Sequence, residues 1–208
     1  MQSYSQHGQD TFIYETFFKG RTEPGTFVDV GAYDGTTFSN TFLFERLGWN
    51  GVCVEPLPAA FAKLKASRSA ICVNCAVSDA SGSGTLIQVD MPSGFEQMYS
   101  GLKANFDERH RQTIQKWGSN QKEVTVQIRS LADILSECRV DRVDYLSIDT
   151  EGSDWRILRS FDLSAFEVQV ISVENNYGNE KIRRHMLGCG YHFVKAFGGF
   201  DELYVLAT

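Results

Sequence analysis

The run Phe27-Val28-Asp29-Val30-Gly31-Ala32-Tyr33-Asp34-Gly35 places two glycines and two acids where an apolar stretch ends. Glycine permits backbone conformations and close approaches that a Cβ forbids, so such a turn lets a ligand lie against the main chain. About 20 residues further on, Glu55 ends a second apolar run, Gly51 to Glu55. From there a carboxylate can accept hydrogen bonds from both hydroxyls of a ribose. The pair points to an adenosine-containing cofactor. The G-x-x-x-G spacing departs from the G-x-G-x-x-G turn that seats a pyrophosphate on a helix N-terminus, which counts against NAD or FAD. Asp29 suits a cationic amino group better than a diphosphate, so charge favours a sulfonium cofactor, S-adenosyl-L-methionine.

A second group of acids follows later strands. Asp149 and Glu151 come just after the apolar run Val143 to Ile148, and Glu174 ends the run Val168 to Glu174. Open α/β folds bind ligands at the carboxyl edge of the sheet, so these three carboxylates can face one cleft. Transfer of the sulfonium methyl group needs in-line alignment of three atoms and a base where the acceptor must lose a proton. Asp149 is the favoured general base or substrate orienter. Glu151 has a second reading, as a cap on the backbone amides of the helix opened by Ser153. A divalent ion would find oxygen ligands in this group, but nothing else marks a metal site and none is assigned.

Near the N-terminus, Gln6, His7 and Asp10 precede an amphipathic helix carrying Phe12, Ile13 and Phe17. They read either as caps of that helix or as wall residues of the cleft, with His7 a possible base because imidazole titrates near neutrality. His185, between Arg184 and Met186 on a later helix, reads as a surface or satisfied residue.

The elements that must position these groups alternate short apolar runs with helical periods, the pattern of βα units and a parallel sheet. Thr26 to Gly31 leads into a helix over Thr37 to Leu47, stopped by Gly48. Gly51 to Glu55 leads into a helix from Pro58 through Phe61 and Leu64. Ala70 to Val77 is a third strand. Thr85 to Val89 and Val124 to Ile128 are further strands, separated by a polar stretch, 90–123, without sustained periodicity. Such a long excursion inside a domain reads as a lid or substrate insert, the alternative being surface decoration. Its Lys103, Arg109, Arg111, Lys116 and Lys122, with His110 among them, read as solvated helix faces. If the insert closes on the cleft, these cations could hold an anionic substrate while Phe106 and Trp117 stack on it. Ser130 with Asp133, Ser153 and Asn179 open later helices, and Tyr191 to Lys195 with Glu202 to Leu206 form a hairpin around Gly198 and Gly199.

With 208 residues, one domain spanning 1–208 is expected. A formal charge of −6 argues against a nucleic-acid partner, since backbone binding needs clustered cations. No segment approaches the roughly 20 apolar residues of a membrane span, and the opening residues have neither a basic start nor an apolar stretch, so a cytoplasmic location is expected. The five cysteines sit in apolar runs and read as reduced, buried thiols. Cys72 and Cys75 would point to opposite faces of a strand rather than toward one metal.

The chain resembles the FkbM-type methyltransferases of the class I S-adenosylmethionine-dependent group. The resemblance runs through Tyr4-Ser5-Gln6-His7-Gly8-Gln9-Asp10, the 27–35 run, Ser39-Asn40-Thr41, Leu47-Gly48-Trp49-Asn50-Gly51 and Val54-Glu55-Pro56. It continues in Ala76-Val77-Ser78-Asp79, Ser100-Gly101-Leu102, Tyr145 to Gly152, Val173-Glu174 and Gly190-Tyr191. It implies a Rossmann-like three-layer α/β sandwich whose seven-stranded sheet is mostly parallel, with an antiparallel edge strand from the C-terminal hairpin. It also implies O-methylation of a hydroxyl on a sugar, polyketide or similar small metabolite. Carried over, Asp29, Gly31, Tyr33, Asp34 and Gly35 would hold the methionine end, Ser39 and Asn40 its carboxylate, Glu55 and Pro56 the ribose, and Ala76, Val77 and Ser78 the adenine. Gln6, Asp10 and Asp149 would complete the cofactor site. Two rivals remain, a nicotinamide-dependent oxidoreductase and a non-catalytic adenosyl-cofactor-binding module, and a homo-oligomer stays open.

Overall fold

A computed structural model describes residues 1–90, 99–106, 108–116, 120–176 and 178–207. The strands are β1 (Thr26–Val30), β2 (Asn50–Val54), β3 (Ile71–Val73), β4 (Ala76–Val77), β5 (Gly82–Asp90), β6 (Gly101–Leu102), β7 (Asn120–Arg129), β8 (Tyr145–Ile148), β9 (Val170–Glu174), β10 (Tyr191–Phe197) and β11 (Asp201–Leu206). The α-helices are α1 (Gln9–Ile13), α2 (Phe42–Arg46), α3 (Pro58–Ser67), α4 (Glu108–Lys116), α5 (Leu131–Glu137), α6 (Asp154–Ser160) and α7 (Glu180–Gly188), and a π-helical turn, Tyr14–Phe18, continues α1.

Seven strands form the main sheet in the order β10-β11-β9-β8-β1-β2-β3. β1, β2, β8 and β9 are short, almost wholly buried apolar runs, because helices cover both faces of a parallel sheet. Strand alternation sorts the side chains. Val28, Val30, Leu146, Ile148 and Ile171 pack with Ile134, Ile157 and Met186 of α5, α6 and α7, whereas Phe27, Cys53 and Tyr145 pack with Ile13, Phe44 and Leu64 of α1, α2 and α3. The result is the three-layer sandwich expected from the sequence. The antiparallel strand, however, is β11, which lies between β9 and β10 rather than at the edge.

Local departures have visible causes. The helix expected over Thr37 to Leu47 shrinks to α2, since Phe38 has a positive φ of 52° and the Asp34 carboxylate ties down the amides of Thr36 and Thr37. The third strand breaks in two because the Asn74 amide donates to the carbonyls of Glu55 and Pro56. Its second half, β4, joins a separate four-stranded sheet ordered β4-β7-β5-β6. In that sheet β5 and β7 pair from Gly82↔Ile128 to Asp90↔Asn120, so β7 starts earlier than expected and the insert is the long tip of a hairpin. The insert also contains α4, with His110 and Ile114 buried one turn apart. Residues 91–98, Asp107 and Trp117 of the insert lie outside the described residues.

Ser130 and Asn179 cap α5 and α7 as expected, accepting from the amides of Asp133 and Lys181. Ser153 precedes α6 without capping it, and its hydroxyl instead accepts from Asn105. The five cysteines are free thiols. Among the described residues no helix is long and apolar enough to cross a membrane.

Candidate functional site

At the carboxyl ends of β1, β2 and β8 the main chain opens a cleft of about 700 Å³. Its floor is the glycine turn. The amides of Gly31 and Ala32 both donate to the Val54 carbonyl, and a Cβ on Gly31 would overlap the Asp149 carbonyl, so β1 and β8 end in direct backbone contact. Tyr33 then turns with φ 50°, and its amide donates to Glu55 Oε2 at 3.0 Å, while the Leu57 amide donates to Oε1 at 2.7 Å. Glu55 is therefore pinned at the wall of the cleft with lone pairs left over. Burial pushes its pKa up to about 8, against the lowering by those two amides. Pro56, Leu57, Cys75, Ala76, Val77, Leu86 and Leu102 complete the apolar side of the cleft.

Several residues expected here lie elsewhere. Asp29 and Ser39 are buried beneath the turn, gathered around Arg68 of the segment after α3. Thr41 donates to Asp29 Oδ2 at 2.5 Å, and Arg68 donates to Thr41 and Ser39, to the Gly35 carbonyl and to Glu45. Gly35 itself makes room for the Arg68 and Leu64 side chains rather than for a ligand. Asp34 folds back on Thr36 and Thr37, Asn40 donates to Ser147, and the Ser78 amide returns to the Arg129 carbonyl. Gln6 and His7 are exposed, with His7 edge-on to Phe200. Asp10 is buried and holds Ser3, Tyr4 and Ser5 onto the start of α1, so its role is to clamp the N-terminal segment. The neighbouring Gln9, not anticipated, joins this segment to the sheet by donating to Asp201 Oδ2 at 2.5 Å.

The three acids of the second group do converge. One carboxylate oxygen each from Asp149, Glu151 and Glu174 lies within 4.8 Å of the others. Burial raises all three pKa values and neighbouring carboxylates raise them further, while a hydrogen bond between Asp149 and Glu174 works the other way on Asp149. Glu151 does not cap α6. Asp154, the first residue of that helix, does not cap it either: its carboxylate folds back to accept from the amides of Thr150 and Gly152, ahead of the helix. Glu151 instead stands between the first cleft and a second cavity of about 1020 Å³, lined also by Asn105, His110, Trp155, Glu174 and Asn175.

The insert walls this site. Ser100, Gly101 and Leu102 line the first cleft, and a Cβ on Gly101 would meet the Glu151 carbonyl. His110 of α4 comes within 3.7 Å of Glu151 through Nδ1 while Nε2 contacts the Tyr99 carbonyl at 3.1 Å. Sequence reasoning passed over His110 as one of a charged run, although its helical spacing from Ile114 marks a buried face. The insert's cations do not line either cavity: Lys103 pairs with Glu123 and Lys122 with Asp90. His185 is satisfied by the Leu158 carbonyl.

The sheet order, the single antiparallel strand and the cleft at the carboxyl edge define a Rossmann-like class I methyltransferase fold. The methyltransferase FkbM domain model matches residues 29–193, and the chain belongs to that family. Among solved structures it is similar to a methyltransferase FkbM from Methylobacillus flagellatus KT, with a TM-score of 0.51 and 14% identity over 91% of this chain and 46% of that one. The chain thus spans about half the length of that relative. It is also similar to the magnesium protoporphyrin IX methyltransferase of Synechocystis PCC 6803, solved with bound SAM, with a TM-score of 0.46 and 7% identity over 96% of this chain and 78% of that one. No curated protein sequence matches.

Proposed function

We propose that the chain transfers the methyl group of S-adenosylmethionine to a hydroxyl oxygen of a sugar, polyketide or similar small metabolite. The observation that carries the reading is the placement of Glu55: both its oxygens are fixed by backbone amides at the wall of a half-apolar cleft whose opposite wall is Asp149. Ribose hydroxyls meet the carboxylate, Cys75, Ala76 and Val77 flank the adenine, and the sulfonium end points to Asp149. A dinucleotide is less well served. Its pyrophosphate wants a helix N-terminus directly after the turn, whereas α2 begins only at Phe42.

The acceptor then occupies the second cavity, across the carboxylates from the cofactor. Asp149 and Glu174 orient its hydroxyl and take its proton as the oxygen attacks the methyl group. Calorimetric titration with S-adenosylhomocysteine and with NAD tests the cofactor: heat with the former and none with the latter is expected, and the reverse pattern would refute the reading. Glu55→Ala is expected to weaken S-adenosylhomocysteine binding by roughly tenfold or more, the loss of two hydrogen bonds worth about 0.5–1.5 kcal/mol each. Asp149→Asn is expected to slow turnover with that affinity changed by at most a few fold.

A further inference from the structure

We propose that Asp149, Glu151 and Glu174 form a binding site for one divalent cation. Their convergent oxygens, within 4.8 Å of one another, have the spread of ligands placed around a cation at roughly 2.0–2.6 Å. Acid clusters alone are common on protein surfaces, but this one has a second feature. Glu151 Oε2 is sealed from solvent and makes no hydrogen bond, its side chain is only 11% exposed, and His110 Nδ1 stands at 3.7 Å, beyond hydrogen-bonding range. A buried carboxylate left without a donor is costly, and a cation on the open side of the cluster removes that cost.

His110, 3.7 Å from Glu151, offsets the group's charge only when protonated. Among the described residues, Lys and Arg ion pairs fall on other acids, such as Glu45, Asp79, Asp90, Glu123, Asp144 and Glu202, and none on these three. Asp154, also buried nearby, spends its oxygens on backbone amides, and Asp201 accepts from Gln9. His110, with Nε2 on the Tyr99 carbonyl and Nδ1 3.7 Å from Glu151, borders the cluster without joining it. All-oxygen ligation by three carboxylates suits a hard or borderline ion, Mg²⁺ or Mn²⁺.

The position gives the ion a task. Asp149 lines the first cleft, Glu174 the second cavity, and Glu151 both, so an ion among them sits where an acceptor hydroxyl would meet the methyl donor. It would hold that hydroxyl in register for attack. This consequence rests on the methyl-transfer reading above; the binding itself does not.

The test is titration of MnCl₂ into the chelator-treated 208-residue chain by calorimetry, with thermal melts alongside. One ion per chain is expected, with a higher melting temperature in Mn²⁺ than in chelator. Glu151→Gln and Glu174→Gln are each expected to weaken uptake by more than the roughly 10–100-fold typical of losing an outer-sphere partner. Both variants relieve repulsion between carboxylates, so in chelator they should melt no lower than the parent, which separates lost binding from lost folding. Asp79→Asn, at a surface acid already paired with Arg156 and Arg159, should bind Mn²⁺ like the parent. The proposal is overturned if the parent takes up no Mn²⁺ saturably, or if uptake survives both glutamine variants. S-adenosylhomocysteine titrated into the same chelated sample keeps the two readings apart: heat from it without Mn²⁺ uptake sinks only the cation site, and Mn²⁺ uptake without it sinks only the cofactor assignment.

Discussion

Gly31→Ala probes the contact on which the cleft is built. Gly31 has φ 92°, and a Cβ there would lie 2.8 Å from the Asp149 carbonyl carbon and closer still to its oxygen. Two costs follow. A side chain in the left-handed region costs about 1–2 kcal/mol. Pushing the backbone after β8 away by more than an ångström is an overpacking strain of at least about 1–3 kcal/mol. The sum, at least about 2–5 kcal/mol, is a large part of the roughly 5–15 kcal/mol that a domain has in hand. With a urea slope of about 1–3 kcal/mol per molar, the unfolding midpoint should fall by about 1–2 M or more. Gly48→Ala is the control, because Gly48 has a similar φ of 88° and nothing near the missing Cβ, so it should show only the first cost. The displaced backbone carries Asp149, so Gly31→Ala should also lower turnover while Gly48→Ala does not. Equal midpoints for the two variants would refute the claim that the β1 and β8 ends touch.

Arg68→Met removes a guanidinium whose side chain is fully buried, stripping donors from Ser39, Thr41, Glu45 and the Gly35 carbonyl, and should cost about 3–5 kcal/mol in urea unfolding because Glu45 and Asp29 stay buried. Glu55 gives a pH signature. Its folded pKa of about 8 stands above the ordinary 4.5, so folding favours the protonated form, and the stabilisation is complete below about pH 4.5 and lost as pH rises through about 8. The ligand-free chain should therefore melt lower at pH 8 than at pH 5, and Glu55→Gln should flatten that decline; a decline unchanged in the variant would show that Glu55 does not titrate this way. Tyr145→Phe deletes a buried 2.7 Å hydrogen bond to Ser172 between β8 and β9 and should cost about 1–2 kcal/mol, read from the same unfolding midpoint.

Local patterns were legible wherever local chemistry decided the outcome. The caps Ser130 and Asn179, Pro58 at the first turn of α3 and the glycine pair between β10 and β11 act within a few residues, and the structure has them in place. The misses come from tertiary contacts. Beside the local grip of Asp34 on Thr36 and Thr37, Arg68, from the far end of α3, donates to the Gly35 carbonyl, Ser39 and Thr41, a contact that nothing near Thr37 announces. The break between β3 and β4 depends on Asn74 reaching back to Glu55, and the α4 helix was masked by charge because only His110 and Ile114 of its face are buried. For the N-terminal segment the sequence leaves helix capping and cleft lining both open, and its buried members, Gln9 and Asp10, serve instead to fasten it.

Asp29 shows how far strand parity alone could have gone. Val28 and Val30 face the α5–α7 layer, so Asp29 must share the other face with Phe27, under α2 and α3, and there it meets Thr41 and Arg68 instead of the cleft. Acids inside a strand are committed to one layer, whereas Glu55, Asp149 and Glu151 come just after their strands, where the chain turns and parity no longer hides them. Two variants separate these cases. Asp29→Asn keeps the shape but removes the charge opposite a buried guanidinium, and should lower stability by about 1–3 kcal/mol with S-adenosylhomocysteine affinity changed by less than about threefold. Glu55→Gln should do the opposite, weakening that ligand while leaving the fold at pH 7 nearly as stable. If Asp29→Asn instead abolished the binding heat with its unfolding midpoint intact, Asp29 would have to reach the cofactor, and the layer argument would be wrong.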